Sequence, residues 1–168
     1  MRQTWVVGSA SPDENNDAPL PRTEYTLRAE VAGGLGPQSV LDSSTNPPVV
    51  SVLHYDFVSW LGDDIVASFP CNIVTEALAS AIADEGLTGA EMDEVIVTKN
   101  PQFEHFFPDI AALLPEWRWL RPTGQAHESD FWQDEQGILI VSDRALNLLR
   151  KFSLENCRIG TYGDSAFA

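Results

Sequence analysis

The chain has 168 residues, a length that suits one compact domain, and its 43% hydrophobic content is enough to build a core. Twenty-five acidic residues against 10 basic ones give a formal net charge of −15. That balance excludes nucleic-acid backbones and anionic membrane surfaces as partners, since both need clustered Lys and Arg, and it favours a protein with a basic surface.

Taken in chain order, Trp5-Val6-Val7 is too short an apolar run for a signal-peptide core. Residues 4–7 suit a short strand, and residues 11–22, with three prolines and three acids, suit a mobile surface loop. In residues 23–31, Tyr25, Leu27, Ala29 and Val31 recur at alternate positions, the pattern of a half-buried strand. Gly33-Gly34-Leu35-Gly36-Pro37 reads as a turn that stops it. After a loop over residues 42–48, residues 49–55 form the strongest β-branched run of this part. Gly62-Asp63-Asp64 is the natural boundary between an N-terminal strand and loop region, 1–62, and a second region, 63–168. The first holds 7 acids and 3 bases, the second 18 acids and 7 bases, so most of the net charge lies beyond Gly62.

The second region carries an internal repeat. Ile73-Val74-Thr75-Glu76 matches Ile140-Val141-Ser142-Asp143 at a spacing of 67 residues, and in the same register Ile82 matches Leu149, Leu87 matches Leu154 and Met92 matches Ile159. In each copy an apolar strand ends in a hydroxyl that caps a helix, and an acid follows in the first turn, where the helix dipole favours it. Leu78, Ala81 and Ile82 form one helical stripe; Ala145, Leu146, Leu149 and Phe152 form the other. Gly86 ends the first helix, Leu87 folds back over its last turn, and Lys151-Phe152-Ser153 mark the second stop. Strands over residues 93–99 and 157–162 complete the copies, about 64–99 and 131–162, each reading strand, helix, strand. The ungapped register favours duplication over a chance likeness of two capped amphipathic helices. Two copies are too few for a solenoid and suit a shared sheet.

Between the copies, Phe103, Phe106, Phe107, Ile110, Leu113 and Leu114 suggest a short helix or packed apolar turn, and residues 117–122 alternate as a strand does. Around them, Glu116, Glu128, Asp130, Asp134 and Glu135 interleave with Trp117, Trp119 and Trp132. Aromatic anchors ringed by charge are what a protein-binding hot spot needs, so these eight residues are the candidate partner-binding set. The alternative is that the tryptophans fill the core; both hold if Trp119 and Phe131 point in while Trp117 and Trp132 point out.

Catalytic and metal patterns are weak. His54 in an apolar strand reads as a hydrogen-bonded core or rim histidine, and His127-Glu128-Ser129-Asp130 lacks the second histidine of a zincin. Cys71, among Phe69, Ile73 and Val74, reads as a buried, quiet thiol, and Cys71 and Cys157 lack metal-ligand spacing. Both are expected to be reduced, in the cytosol. Asp63-Asp64, Asp93-Glu94 and Asp134-Glu135 read as solvated turn acids before they read as a cation site. No cofactor, metal or catalytic residue is assigned.

Ile140-Val141-Ser142-Asp143-Arg144-Ala145-Leu146, then a helix and Leu154-Glu155-Asn156-Cys157-Arg158-Ile159, resembles the C-terminal portion of small immunity proteins of bacterial polymorphic or contact-dependent toxin systems. Trp119-Leu120-Arg121-Pro122 and the Asp130-Phe131 pair precede it in the same pattern, and the likeness spans residues 64–162. The double-CXXCG proteins have a similar ending, but this chain has no CXXC and their metal site does not carry over. The resemblance implies a protein that covers a toxin's active site or substrate cleft, without chemistry of its own. The alternatives are a small metal- or carboxylate-dependent enzyme around residues 127–134, or an adaptor subunit of a larger assembly. The expected fold is α+β, a mixed sheet built from the two duplicated units with N-terminal strands flanking it.

Overall fold

A computed structural model describes residues 22–163. The strand expected at 4–7 and nearly all of the loop expected at 11–22 lie outside the described residues. The elements are β1 (Glu24–Arg28), β2 (Gly33–Leu35), β3 (Val40–Asp42), β4 (Val49–Val52), β5 (His54–Phe57), β6 (Ile65–Ser68), β7 (Cys71–Thr75), α1 (Glu76–Asp84), β8 (Ala90–Asp93) and β9 (Ile96–Lys99). They continue with α2 (Pro101–Phe106), α3 (Pro108–Ala112), β10 (Trp117–Pro122), β11 (Phe131–Gln133), β12 (Leu139–Ser142), α4 (Asp143–Leu149) and β13 (Arg158–Thr161). The fold is mixed α+β.

In place of one mixed sheet, the strands divide among several. Two four-stranded antiparallel sheets have the orders β11-β12-β1-β13 and β6-β7-β10-β8; a three-stranded sheet runs β2-β5-β9, and β3-β4 is a separate hairpin. The 49–55 run is broken at Leu53, which is buried, so that β4 and β5 join different sheets. The strand expected over 93–99 likewise parts into β8 and β9. Gly33 does not begin a turn: it starts β2, where a Cβ would lie 2.1 Å from the Asp56 carbonyl oxygen, so only glycine permits the pairing with β5. Strands from both sides of Gly62 share sheets, since β1 lies between β12 and β13 and β5 runs parallel to β9.

The two four-stranded sheets follow one pattern. Each is an antiparallel hairpin, then a strand from elsewhere in the chain, then the strand that follows the helix. Thr75 faces Trp117 and Ser142 faces Glu24; Met92 faces Leu120 and Ile159 faces Leu27. The positions that match at a spacing of 67 therefore face matching positions on β10 and β1. β10, which precedes the β11-β12 hairpin in the chain, sits in the sheet of β6 and β7, while β1, which comes ahead of β6, sits in the sheet of β11 and β12.

Both helices are capped as expected. Thr75 Oγ1 accepts from Leu78 N at 3.3 Å and Ser142 Oγ from Ala145 N at 3.1 Å, with Glu76 and Asp143 in the first turns. Gly86, at φ +69°, ends the α1 segment, and Leu87 N returns to the Ile82 carbonyl.

Strand alternation then builds two cores. Val74 and Leu120 face a first core with Leu27, Leu78, Ile82, Val141, Leu146 and Leu149, beneath α1 and α4. Ile73, Trp117 and Trp119 face a second core with Tyr55, Phe57 and Phe103. The β6-β7-β10-β8 sheet is thus covered on both faces. Tyr25, Leu27 and Ala29 face the first core as expected, whereas Val31 is 68% exposed and Glu24 and Thr26, on the opposite face of β1, are buried.

Candidate binding surface

The eight residues expected to form one surface are not assembled into one. Trp117, Trp119 and Trp132 are buried, so none of the three can serve as an exposed anchor. The reason is the covered sheet: two residues apart on β10, Trp117 and Trp119 share the face that meets the second core. Trp117 packs on Phe57 at 5.3 Å and edge-on to Trp60 at 5.9 Å, and the Arg121 guanidinium lies 4.5 Å over the Trp119 ring. Trp132 donates from Nε1 to Glu24 Oε2 at 2.8 Å and meets Tyr162 edge-on. Among the acids, Glu116, Glu128 and Glu135 are exposed, Asp134 is half-buried and Asp130 is buried. Asp134 Oδ1 accepts from Gln136 N and Ile138 N, which makes it a turn former.

Asp130 belongs to a structural clasp. Its Oδ1 accepts from the Ser142 hydroxyl at 2.7 Å, and its Oδ2 accepts from Thr88 N at 2.9 Å. Burial works against the charged carboxylate. The hydrogen bonds from Ser142 and Thr88 and the Arg144 charge outweigh it and hold Asp130 below the usual carboxylate range. Asp64 does the same in the other hairpin: Oδ1 accepts from Thr75 Oγ1 at 2.8 Å and Oδ2 from Ser153 N at 2.8 Å. The backbone repeats it too, with Thr75 N on Asp64 O and Ser142 N on Asp130 O, both 2.9 Å. Each carboxylate orients the hydroxyl that caps its own helix and holds the loop after the other helix.

Asp63, expected to be a solvated turn acid, is fully buried and accepts from Asn156 N at 2.8 Å and Asn156 Nδ2 at 3.0 Å. Asp63 and Asp64 therefore tie the chain before β6 to the turn before β13, and both carboxylates are engaged there by the fold. Asp93 also differs from the solvated acid expected, because Arg121 Nη1 donates to it at 2.9 Å.

The histidines have separate roles. His54 is a satisfied core residue: Gln38 N donates to Nδ1, which places the proton on Nε2, and Nε2 lies 2.7 Å from Thr98 Oγ1. The Thr98 hydroxyl in turn donates to Asp56. His127 sits in the left-handed region at φ 66°, with 62% of its side chain exposed and Nδ1 2.6 Å from buried Glu24 Oε1. With Trp132 and Tyr162 it lines a cleft of about 780 Å³. Sequence reasoning missed this pair because its members lie 103 residues apart with no shared motif.

Burial pushes the Cys71 thiol up to about 12, and burial followed by the Asp63 carboxylate pushes Cys157 up to about 12 as well. At pH 8 both should resist alkylation by iodoacetamide in the folded protein and react promptly in 6 M guanidinium; equal rates would contradict this account. No group of three or more possible metal-ligating His, Cys, Asp or Glu side chains occurs among the described residues.

No family model matches the chain, and no curated protein matches it. No helix among the described residues is long and apolar enough to cross a membrane.

Proposed function

We propose that this chain is a non-catalytic acidic binding protein that neutralises a cognate bacterial toxin by covering its active site or substrate cleft, in the manner of the immunity proteins it resembles. The observation that carries this reading is the charge of −15. It is sharpened by geometry, because Arg22, Arg118, Arg121 and Arg144 are already held in ion pairs with this chain's own acids. A strongly negative net charge of this kind steers a basic partner and speeds its encounter. The polar groups that catalysis would draw on at the helix N-termini, Thr75, Ser142, Asp64 and Asp130, are instead engaged in caps and clasps. The site of action is the cytosol, where both thiols stay reduced.

The two four-stranded sheets derive from one duplicated unit whose first strand has been exchanged, with β1 completing the second copy and β10 the first. The shared register, the paired caps and the reciprocal Asp64 and Asp130 clasps support it.

A second reading has one observation in its favour: the Glu24–His127 pair in the 780 Å³ cleft resembles a carboxylate-oriented general base. The two separate on one experiment. The binding reading expects the purified chain to form a stoichiometric complex with the product of its neighbouring gene, with an on-rate that falls as salt rises, and expects His127→Ala to bind equally well. Loss of the protective effect in His127→Ala without loss of binding would favour the enzyme.

A further inference from the structure

We infer that the outer face of α2 and α3, together with the acidic groove that follows them, is the surface that seats the basic partner; the inference rests on the binding reading above. Both helices begin at a proline and run only 6 and 5 residues. Phe103 and Ala111 anchor them inward, at 0% and 3% exposure. The stripe left outside is apolar: Phe106 is 66% exposed, Phe107 45%, Ile110 37% and Leu113 75%. Steps of three residues set Phe107, Ile110 and Leu113 along one ridge. Single exposed apolar side chains are ordinary, but four large ones within residues 106–113 form a patch that calls for a partner.

Charge identifies the partner's chemistry. Between Lys99 and Arg118 the chain carries Glu104, Asp109 and Glu116 and no Lys or Arg. Directly after the ridge, Pro115 and Glu116 enter a groove of about 430 Å³ shared with Glu76, Glu94 and Val95. Arg118 in that groove is bound to Glu76 at 2.9 Å, so Glu94 and Glu116 are left to face a ligand's charge. An apolar centre beside an acidic rim fits a protein whose own apolar contact is flanked by Lys or Arg. A second copy of this chain does not fit, because it would set like charges against each other. The β3-β4 hairpin also exposes Val40, Leu41, Val49 and Val52, but its strands carry only Asp42 as a charge and select no partner.

The test measures binding of the full chain to the product of the neighbouring gene, using wild type, Phe106→Ser/Leu113→Ser, Glu94→Lys/Glu116→Lys and the hairpin control Val40→Ser/Val49→Ser. Each variant is first shown to unfold at the wild-type midpoint. The apolar pair should weaken Kd on the order of 100-fold, as loss of hot-spot anchors does. The charge pair should slow association by about 10-fold at low salt and flatten its salt dependence. The hairpin control should stay within about twofold, as contacts outside a hot spot do. Wild-type affinity in both test pairs, or weakening confined to the hairpin control, overturns the surface and leaves the toxin reading standing. No complex with wild type removes both. A dimer of the wild-type chain alone, dissolved by Phe106→Ser/Leu113→Ser in sedimentation, overturns the choice of a basic partner.

Discussion

Asp130→Ala should destabilise the fold by about 2–4 kcal/mol, because it strands the Ser142 hydroxyl and the Thr88 amide in a buried clasp. The urea midpoint should fall with an unchanged slope. Linkage fixes the pH dependence. The folded-state pKa of Asp130 is depressed, so its contribution is present above the unfolded carboxylate pKa of about 4 and disappears as pH falls through the lower folded value. Wild type should therefore lose more stability than Asp130→Ala between neutral pH and acid, and the gap between them should close. A gap unchanged down to acid pH would show that the clasp is not held by the charged carboxylate.

Trp119→Ala should cost about 3–5 kcal/mol, the range for emptying a large aromatic from a core. Trp119 is 5% exposed in the core shared with Phe57 and Phe103. For a chain of this size each kcal/mol moves the melting temperature by about 2–4 °C, so the shift should be on the order of 10 °C. Were the indole a partner anchor, the variant would keep its melting temperature and lose only affinity. Calorimetry of the variant without any partner distinguishes the two.

Local signals were legible where chemistry acts over a few residues. The Thr75 and Ser142 caps, the Gly86 stop and the apolar stripes of α1 and α4 all follow from contacts within about one helical turn, and all are present. Long-range pairing was not legible. Trp117 and Trp119 lie two residues apart on β10 and share one face, which the second core covers, so Trp117 cannot point out while Trp119 points in and both are internal. The acids misled for a related reason. Adjacent carboxylates on a turn usually mean solvation, and it is the distant 153–157 loop that engages Asp63 and, together with Thr75, Asp64. An acid lies eleven residues before Thr75 and twelve before Ser142, so the repeat extended backwards with one gap aligns the two clasps. The exposed stripe of α2 and α3 was visible as a run of apolar residues, but which of them faced outward depended on how Phe103 docked against β5.

Neutralisation is measured by the growth of cells that express the neighbouring gene's product with and without this chain. Growth should stop without the chain and return to the uninhibited rate with it, for wild type and for His127→Ala alike. Growth arrest that the wild-type chain does not relieve would rule neutralisation out.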